Sequence, residues 1–407
     1  MAGTRRQAAI GFIFITLLLD VIGLGIIYPV IPTLIEELIG GGLSKASLYG
    51  GIMMFSYALM QFIFAPVLGG LSDRYGRRPI LLVSLLGFAA GYVIMATSAT
   101  FTWLVIGRVV TGLFGASIAT GAAYIADISP PEKRAQNFGL IGVAFGLGFI
   151  IGPALGGVLG EYGSRVPFYV SAGLTLLNWV YGLTILPESL AKENRRKFDF
   201  RRANPLGTVL ILRRYPQIAP LVGALALVYI AGFAVQGVWS FHGMYKFEWD
   251  EMMVGLSLGV VGIFTASVQG GLIRVVIPKF GQLRALKMGL TFMAFGLLLF
   301  AFAPSGTAMI AFSAVYALGG IAGPSFQGLL TNEIPNNEQG EFQSALTSLR
   351  SLTSIIGLPL MTSVFSYFTS DVTNAIFPGA PFLLAAIILC AALAVVLRFA
   401  RRTEGAK

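Results

Sequence analysis

Two ionisable side chains, Asp20 and Arg108, stand deep inside otherwise apolar stretches of this chain. A charge at the centre of a membrane helix costs about 2.5–3.5 kcal/mol on insertion scales, so such residues face a cavity or a partner. A carboxylate that is desolvated in one state and wetted in another can carry a proton, because burial disfavours its charged form. Asp20 therefore has two readings, a proton carrier or a fixed hydrogen-bond anchor. Arg108 keeps its charge, so it is suited to holding Asp20 or an anionic group, or to a purely structural role. The chain has one histidine, His242, and one cysteine, Cys390. One of each excludes a histidine cluster, a disulfide framework and a cysteine metal site. No metal and no cofactor is expected. His242 falls at the outer end of an apolar stretch and reads as an interfacial residue, not as a proton relay.

The elements that must hold these residues are membrane helices. Of 407 residues, 56% are hydrophobic and 11% charged, and the mean hydropathy is +0.80. Soluble domains carry about 25% charged residues. A spanning helix needs roughly 20 apolar residues, and twelve stretches qualify: 10–35, 46–70, 79–98, 101–126, 136–160, 166–187, 218–242, 252–276, 284–303, 306–330, 342–368 and 380–400. The first follows Arg5 and Arg6 and is too long for a signal segment. It reads as a retained span. With the N-terminus inside, only Lys45, Arg165 and Lys246 of the 28 basic residues lie in outward loops. Arg108 and Arg350 lie deep within spans, Arg274, Arg284, Lys287 and Arg398 fall at the inward ends of spans, and the other 19 lie in inward segments. This is the positive-inside pattern with both termini cytoplasmic. It accounts for the net charge of +10 without a nucleic-acid partner.

A basic connection, residues 188–217, separates an expected bundle of six helices over 1–187 from a second over 218–407. Its charge can also reach anionic lipid headgroups. The two bundles echo each other at an offset of about 205. DISPPE at 127–132 matches EIPNNE at 333–338, and IIG at 150–152 matches IIG at 355–357, with Pro153 and Pro359 following. Duplicated halves place a substrate site between them near the midplane, with access alternating by rocking. They favour transport over membrane-embedded catalysis. The expected fold class is therefore an all-α membrane protein of twelve transmembrane helices in two pseudo-symmetric six-helix bundles.

Three groups of residues carry candidate mechanism. The turn between spans two and three reads GGLSDRYGRRPIL over residues 69–81. There Gly69 and Gly76 allow close packing and an unusual backbone angle, while Asp73, Arg74, Arg77 and Arg78 can pair with neighbouring acids and helix ends. Asp127 and the start of span eleven are the expected partners. The second-half counterpart, Arg274 through Lys279 and Gly281 to Arg284, lacks the acid. In span five, Gly148, Gly152 and Gly156 share a face beside Pro153 and Gly157, which suits close helix contact and a bend. Tyr229, Phe233 and Gln236 in span seven, Thr265 and Gln269 in span eight, and Gln327 in span ten are candidate cavity residues. The pocket they suggest is mostly uncharged and partly aromatic.

The loop at 69–81 resembles, nearly position for position, the loop 2–3 signature of the major facilitator superfamily, where it latches the two halves in the outward-facing state. The span-five element resembles that of superfamily exporters. LDVIGLGIIYPVIP at 19–32, SDRYGRRP at 72–79, Gly107 with Arg108, AYIADI at 123–128, GLSL at 255–258, and LTSL and LTSI at 346–349 and 352–355 together look like the tetracycline/proton antiporters of the drug:proton antiporter group. The likeness runs nearly end to end and is weakest in the linker and C-terminus. It implies the major facilitator fold, proton coupling through Asp20 and Arg108, and a bacterial inner-membrane location. Three positions depart from that pattern: Gly91 and Met293 stand where those exporters carry acids, and Thr265 where they carry a histidine.

The expectation is thus a non-enzymatic, proton-driven exporter of amphipathic organic compounds, tetracycline-like or multidrug, complete as a monomer. Its partners are substrate, protons and lipid. The alternative is a dedicated exporter of one endogenous metabolite, such as a siderophore-like or lipid-derived molecule.

Overall fold

A computed structural model describes residues 2–115, 117–129, 131–196, 198, 204–335, 338–371 and 376–404. Every regular element among them is helical: α1 Ala2–Ile26, α2 Ile31–Ile39, α3 Gly42–Tyr75, α4 Arg77–Ala96, α5 Phe101–Leu113, α6 Ser117–Ile128, α7 Pro131–Gly160, α8 Val166–Ile185, α9 Pro205–Leu210, α10 Ala219–Phe247, α11 Glu251–Ser267, α12 Ile273–Phe280, α13 Gln282–Ala301, α14 Gly306–Leu318, α15 Ala322–Thr331, α16 Gln339–Thr369 and α17 Ala380–Glu404. Lipid offers no hydrogen bonds, so a spanning backbone must satisfy itself within its own helix.

Among the described residues ten helical runs are long and apolar enough to cross a membrane, with α11 and α12 forming one run and α14 and α15 another, and the pair α1 and α2, bent by 47°, makes an eleventh when taken as one span. The bend falls at the turn containing Pro29, which has no amide donor to continue the helix. The count of twelve is not reproduced as twelve unbroken helices. The fourth expected span is interrupted after α5, and neither α5 nor α6 is long enough alone. In the eighth span, α11 runs into a π-helical turn at Val268–Leu272 before α12. In the tenth, a 3₁₀ turn at Gly319–Ile321 joins α14 to α15. Of the expected linker, residues 197 and 199–203 lie outside the described residues, as do Pro130, Asn336 and Asn337 of the repeated segments.

The contacts define two compact units. The first comprises residues 1–39, 56–205 and 250–259, and the second comprises 40–55, 206–249 and 260–407. Compared with a straight cut in the linker, the start of α3 and the start of α11 exchange units.

Glycine decides the tightest packing in each. In the first unit, α7 lies against α1: a Cβ on Gly152 would stand 2.9 Å from both Gly25 Cα and Ile22 O, and one on Gly148 2.6 Å from Val21 Cγ1. A Cβ on Gly156 would collide with the carbonyl of Ile26, and Pro153 Cδ fills the space beside Gly25. Gly157 and Gly255 meet in the same way, bringing the start of α11 onto α7. In the second unit α16 meets α10 where Gly357 receives the ring of Phe233, and meets the start of α3 where Gly51 receives Thr362. Gly152 and Gly357 are the repeat partners noted in the sequence, and each performs the same close contact within its own unit.

Candidate proton site and loop cluster

Inside the first unit, the interruption of span four builds a polar site. Phe114 ends α5 by packing its ring and Cβ onto Gly87 of α4, leaving no room for a side chain at position 87. Gly115 then turns the chain, its amide donating to Gly112 O at 3.1 Å. Breaking a helix in an apolar setting frees carbonyls that need new donors. Gln61 of α3 supplies one, its Nε2 donating to Gly115 O at 3.2 Å and to the Tyr57 hydroxyl at 3.2 Å. Just past the break, Ser117 donates to the carboxyl of Asp20.

Asp20 is buried in α1, and its Oδ2 has no hydrogen-bond partner among the described residues. Arg108 is buried two turns before the break, its guanidinium over the Tyr57 ring at 5.8 Å and its Nε without an acceptor. The expected pairing of Asp20 with Arg108 does not occur: no ion pair joins them. Instead Tyr57 and Tyr92 each lie within electrostatic reach of both, and Tyr28 lies near Arg108. An aromatic ring faces a guanidinium favourably because its π face is negative, so the Tyr57 ring relieves the buried charge. A buried carboxyl with an unserved oxygen and no ion-pair partner can take up and release a proton.

The loop between α3 and α4 forms the second cluster. Gly76, at φ 110°, turns the chain into α4. A side chain there would strike the Glu188 carboxylate, so backbone angle and space both demand glycine. Arg77 donates from Nη1 to Asp73 Oδ1 at 2.5 Å and from Nε to Asp127 Oδ2 at 3.1 Å. Ser189 also donates to Asp127, at 3.0 Å. Glu188 caps α4, accepting from the amides of Arg77 at 2.8 Å and Arg78 at 3.3 Å, with Arg195 at 3.9 Å. Carboxylates are stabilised at a helix N-terminus, where amides lack partners. Arg78 donates to Leu183 O at 2.8 Å, the Arg196 amide to Asp73 O at 3.0 Å, and Arg74 covers the Tyr75 ring at 5.0 Å. Gly69 departs from expectation: no atom lies within 4 Å of where its Cβ would be, and its neighbour Gly70 makes the close contact, with Phe198.

The cavity candidates differ in their surroundings. Phe233 is buried against Gly357, so it packs two helices together. Tyr229 lies under the Arg350 guanidinium at 5.9 Å. Thr265 spends its hydroxyl on Val261 O at 2.8 Å. Gln236 and Gln327 are exposed, and Gln269 is exposed on the π-helical turn beside Gly320. His242, near the end of α10, is fully buried, ringed by Phe247, Phe365 and Phe382, with Nδ1 3.0 Å from Pro378 O. A carbonyl only accepts, so Nδ1 carries the proton.

Two of the departures from the tetracycline exporter pattern are packing positions. A Cβ on Gly91 would stand 2.9 Å from Gly107 O and collide with Thr111, so α5 occupies the space an acid would need. Met293 closes on Gly319, whose Cβ would lie 2.6 Å from its own. Sequence reasoning missed Gln61, Tyr57, Tyr92, Ser117 and Glu188. Their one advance signal was polarity on helix faces or beside the linker.

Helices long and apolar enough to cross a membrane, with a buried carboxyl among them, mark a multi-pass membrane protein. The Major Facilitator Superfamily model matches residues 13–358, and the chain belongs to that superfamily. It is 39% identical to the class C tetracycline resistance protein of Escherichia coli over 351 residues, covering 86% of this chain and 88% of that one. It is 36% identical to the class E protein of Escherichia coli over 363 residues, covering 88% of each. The crystal structure of the human organic anion transporter MFSD10 shares the fold at a TM-score of 0.73 and 22% identity, covering 96% of this chain and 99% of that one. These relatives are transporters, and this chain is a transporter and not an enzyme.

Proposed function

We propose that this transporter exports amphipathic organic compounds, tetracycline-like or multidrug, in exchange for protons. It acts as a monomer in the bacterial inner membrane with both termini cytoplasmic, by alternating access of six-helix halves over 1–187 and 218–407. The observation that carries this reading is Asp20, buried with Oδ2 unserved and Ser117 on its carboxyl. A carboxyl held this way exchanges a proton when its surroundings are wetted and dried in turn. The tetracycline resistance proteins among its relatives support an organic substrate. Asp73, Arg77, Arg78, Asp127 and Glu188 form the cytoplasmic latch.

Liposomes holding the full chain, under an imposed pH gradient, test the reading by proton flux on addition of tetracycline and then of amphipathic cations and neutral drugs. Flux that Asp20→Asn abolishes is the expected result, and full counterflow in that variant would reject the role of Asp20. The second reading, export of one endogenous metabolite, is favoured by Gly91 and Met293, where packed helices replace the acids of the tetracycline exporters. Silence across the drug panel would select it.

A further inference from the structure

The second unit contains an exposed charge within a spanning segment, for which the proton site has no use. Arg350 lies eight residues into the Phe342–Thr369 span, about 12 Å along the axis at the rise of an α-helix. Its guanidinium sits over the Tyr229 ring at 5.9 Å, so it points toward α10. The same faces meet one and two turns further along, where Phe233 packs on Gly357 and Gly237 on Leu358. Arg350 therefore lies beside the seam of α10 and α16.

No carboxylate serves it. Between residues 206 and 404 the acids are Glu248, Asp250, Glu251, Glu333, Glu338, Glu341, Asp371 and Glu404, all at helix ends or in connections. No ion pair involves Arg350 among the described residues. Three hydroxyls near it on the same helix donate to backbone carbonyls, Thr347 to Gln343 O, Thr353 to Arg350 O and Ser354 to Ser351 O. A guanidinium has five donors in a planar fork that matches a carboxylate. An intramembrane arginine with an aromatic face on one side and open donors on the other is a receptor for an anion.

We propose that Arg350, with Tyr229, binds the anionic group of the transported molecule, so that the substrates of this chain include amphipathic organic anions with a carboxylate or enolate. This rests on the transport reading and narrows its substrate class. The anion takes the fork of Arg350 while its apolar body lies along Tyr229 and the α10 seam.

The test is equilibrium binding to the purified full chain in a neutral detergent and in phosphatidylcholine nanodiscs free of anionic lipid. The probes are 1-naphthoate, its neutral amide and 1-naphthylmethylammonium. Losing a charge-assisted hydrogen bond should weaken binding by about tenfold or more, so naphthoate is expected to bind at least about that much tighter than the amide. Arg350→Gln should reduce naphthoate to the level of the amide, and Arg350→Lys should keep part of the preference, with both variants keeping the wild-type melting temperature. Equal binding of naphthoate and amide by the wild-type chain would overturn the proposal, as would a preference that survives in Arg350→Gln. No proton gradient is involved, and Asp20→Asn should keep the preference. A chain that prefers naphthoate yet gives no proton flux would refute the coupling reading and leave this site standing. Flux with drugs but no preference would do the reverse.

Discussion

At the residue scale, the carboxyls divide between two tasks. Asp20 is isolated from any counter-ion within 4 Å and keeps an unserved oxygen, whereas Asp73, Asp127 and Glu188 are all tied to arginines or amides. The first arrangement suits proton exchange and the second suits a fixed clasp. Neutralising Asp73 to Asn removes one of the two acids on Arg77 while leaving the distant site untouched. Transport should fall by about tenfold or more, the scale of one charge-assisted contact, with substrate affinity unchanged. Equal transport by Asp73→Asn and wild type in the same liposomes would remove the loop from the mechanism. Glu188→Ala uncaps α4 and should cost about 1 kcal/mol, read as a lowered melting temperature in detergent. Glu188→Gln, which can still accept from the amides of Arg77 and Arg78, should recover most of it.

At the element scale, the decisive features are places where helices break or touch without side chains. A Gly152→Leu substitution pushes a side chain into Gly25 and Ile22 O, which lie 2.9 Å from the bare Cβ position. Overpacking of this kind costs about 1–3 kcal/mol or more, so the variant should be less abundant in the membrane and melt earlier. The same change at Gly223, which has open space around it, should be silent. The glycine face of span five was legible in the sequence because a spacing of four residues maps directly onto one side of a helix. Asp20 and Arg108 were legible because charge is conspicuous in apolar surroundings. Gln61 and Ser117 were not, since their importance depends on the break after α5, and nothing about GLFGAS at 112–117 demands an interruption in advance. Glu188 was hidden by distance, lying about 110 residues from the amides it caps. Phe233, a cavity candidate by its spacing, shows a limit of the opposite kind. Helical periodicity says which residues share a face, yet a shared face is as often a packing seam, as Phe233 against Gly357 shows.

At the scale of the whole molecule, the charge asymmetry and the broken fourth span make one joint claim about topology. Arg5 and Arg6, the basic loop at 74–78 and the linker must share a side, which requires α5 and α6 together to count as one crossing despite the break between them. Thr100, before α5, and Glu161, after α7, are both exposed and lie in turns. Two crossings separate them if α5 and α6 traverse the bilayer, and one if they do not. Cys390 is the sole native thiol, so replacing it by serine gives a clean background for single cysteines. A membrane-impermeant maleimide applied to intact cells should label Thr100→Cys and Glu161→Cys alike, while Lys192→Cys in the linker should react only after the membrane is opened. Labelling of Thr100→Cys without Glu161→Cys would mean that the interrupted span turns back. The carboxyl of Asp20 would then face a re-entrant loop rather than a crossing helix, and both the twelve-span count and the placement of the linker beside the N-terminus would fall together.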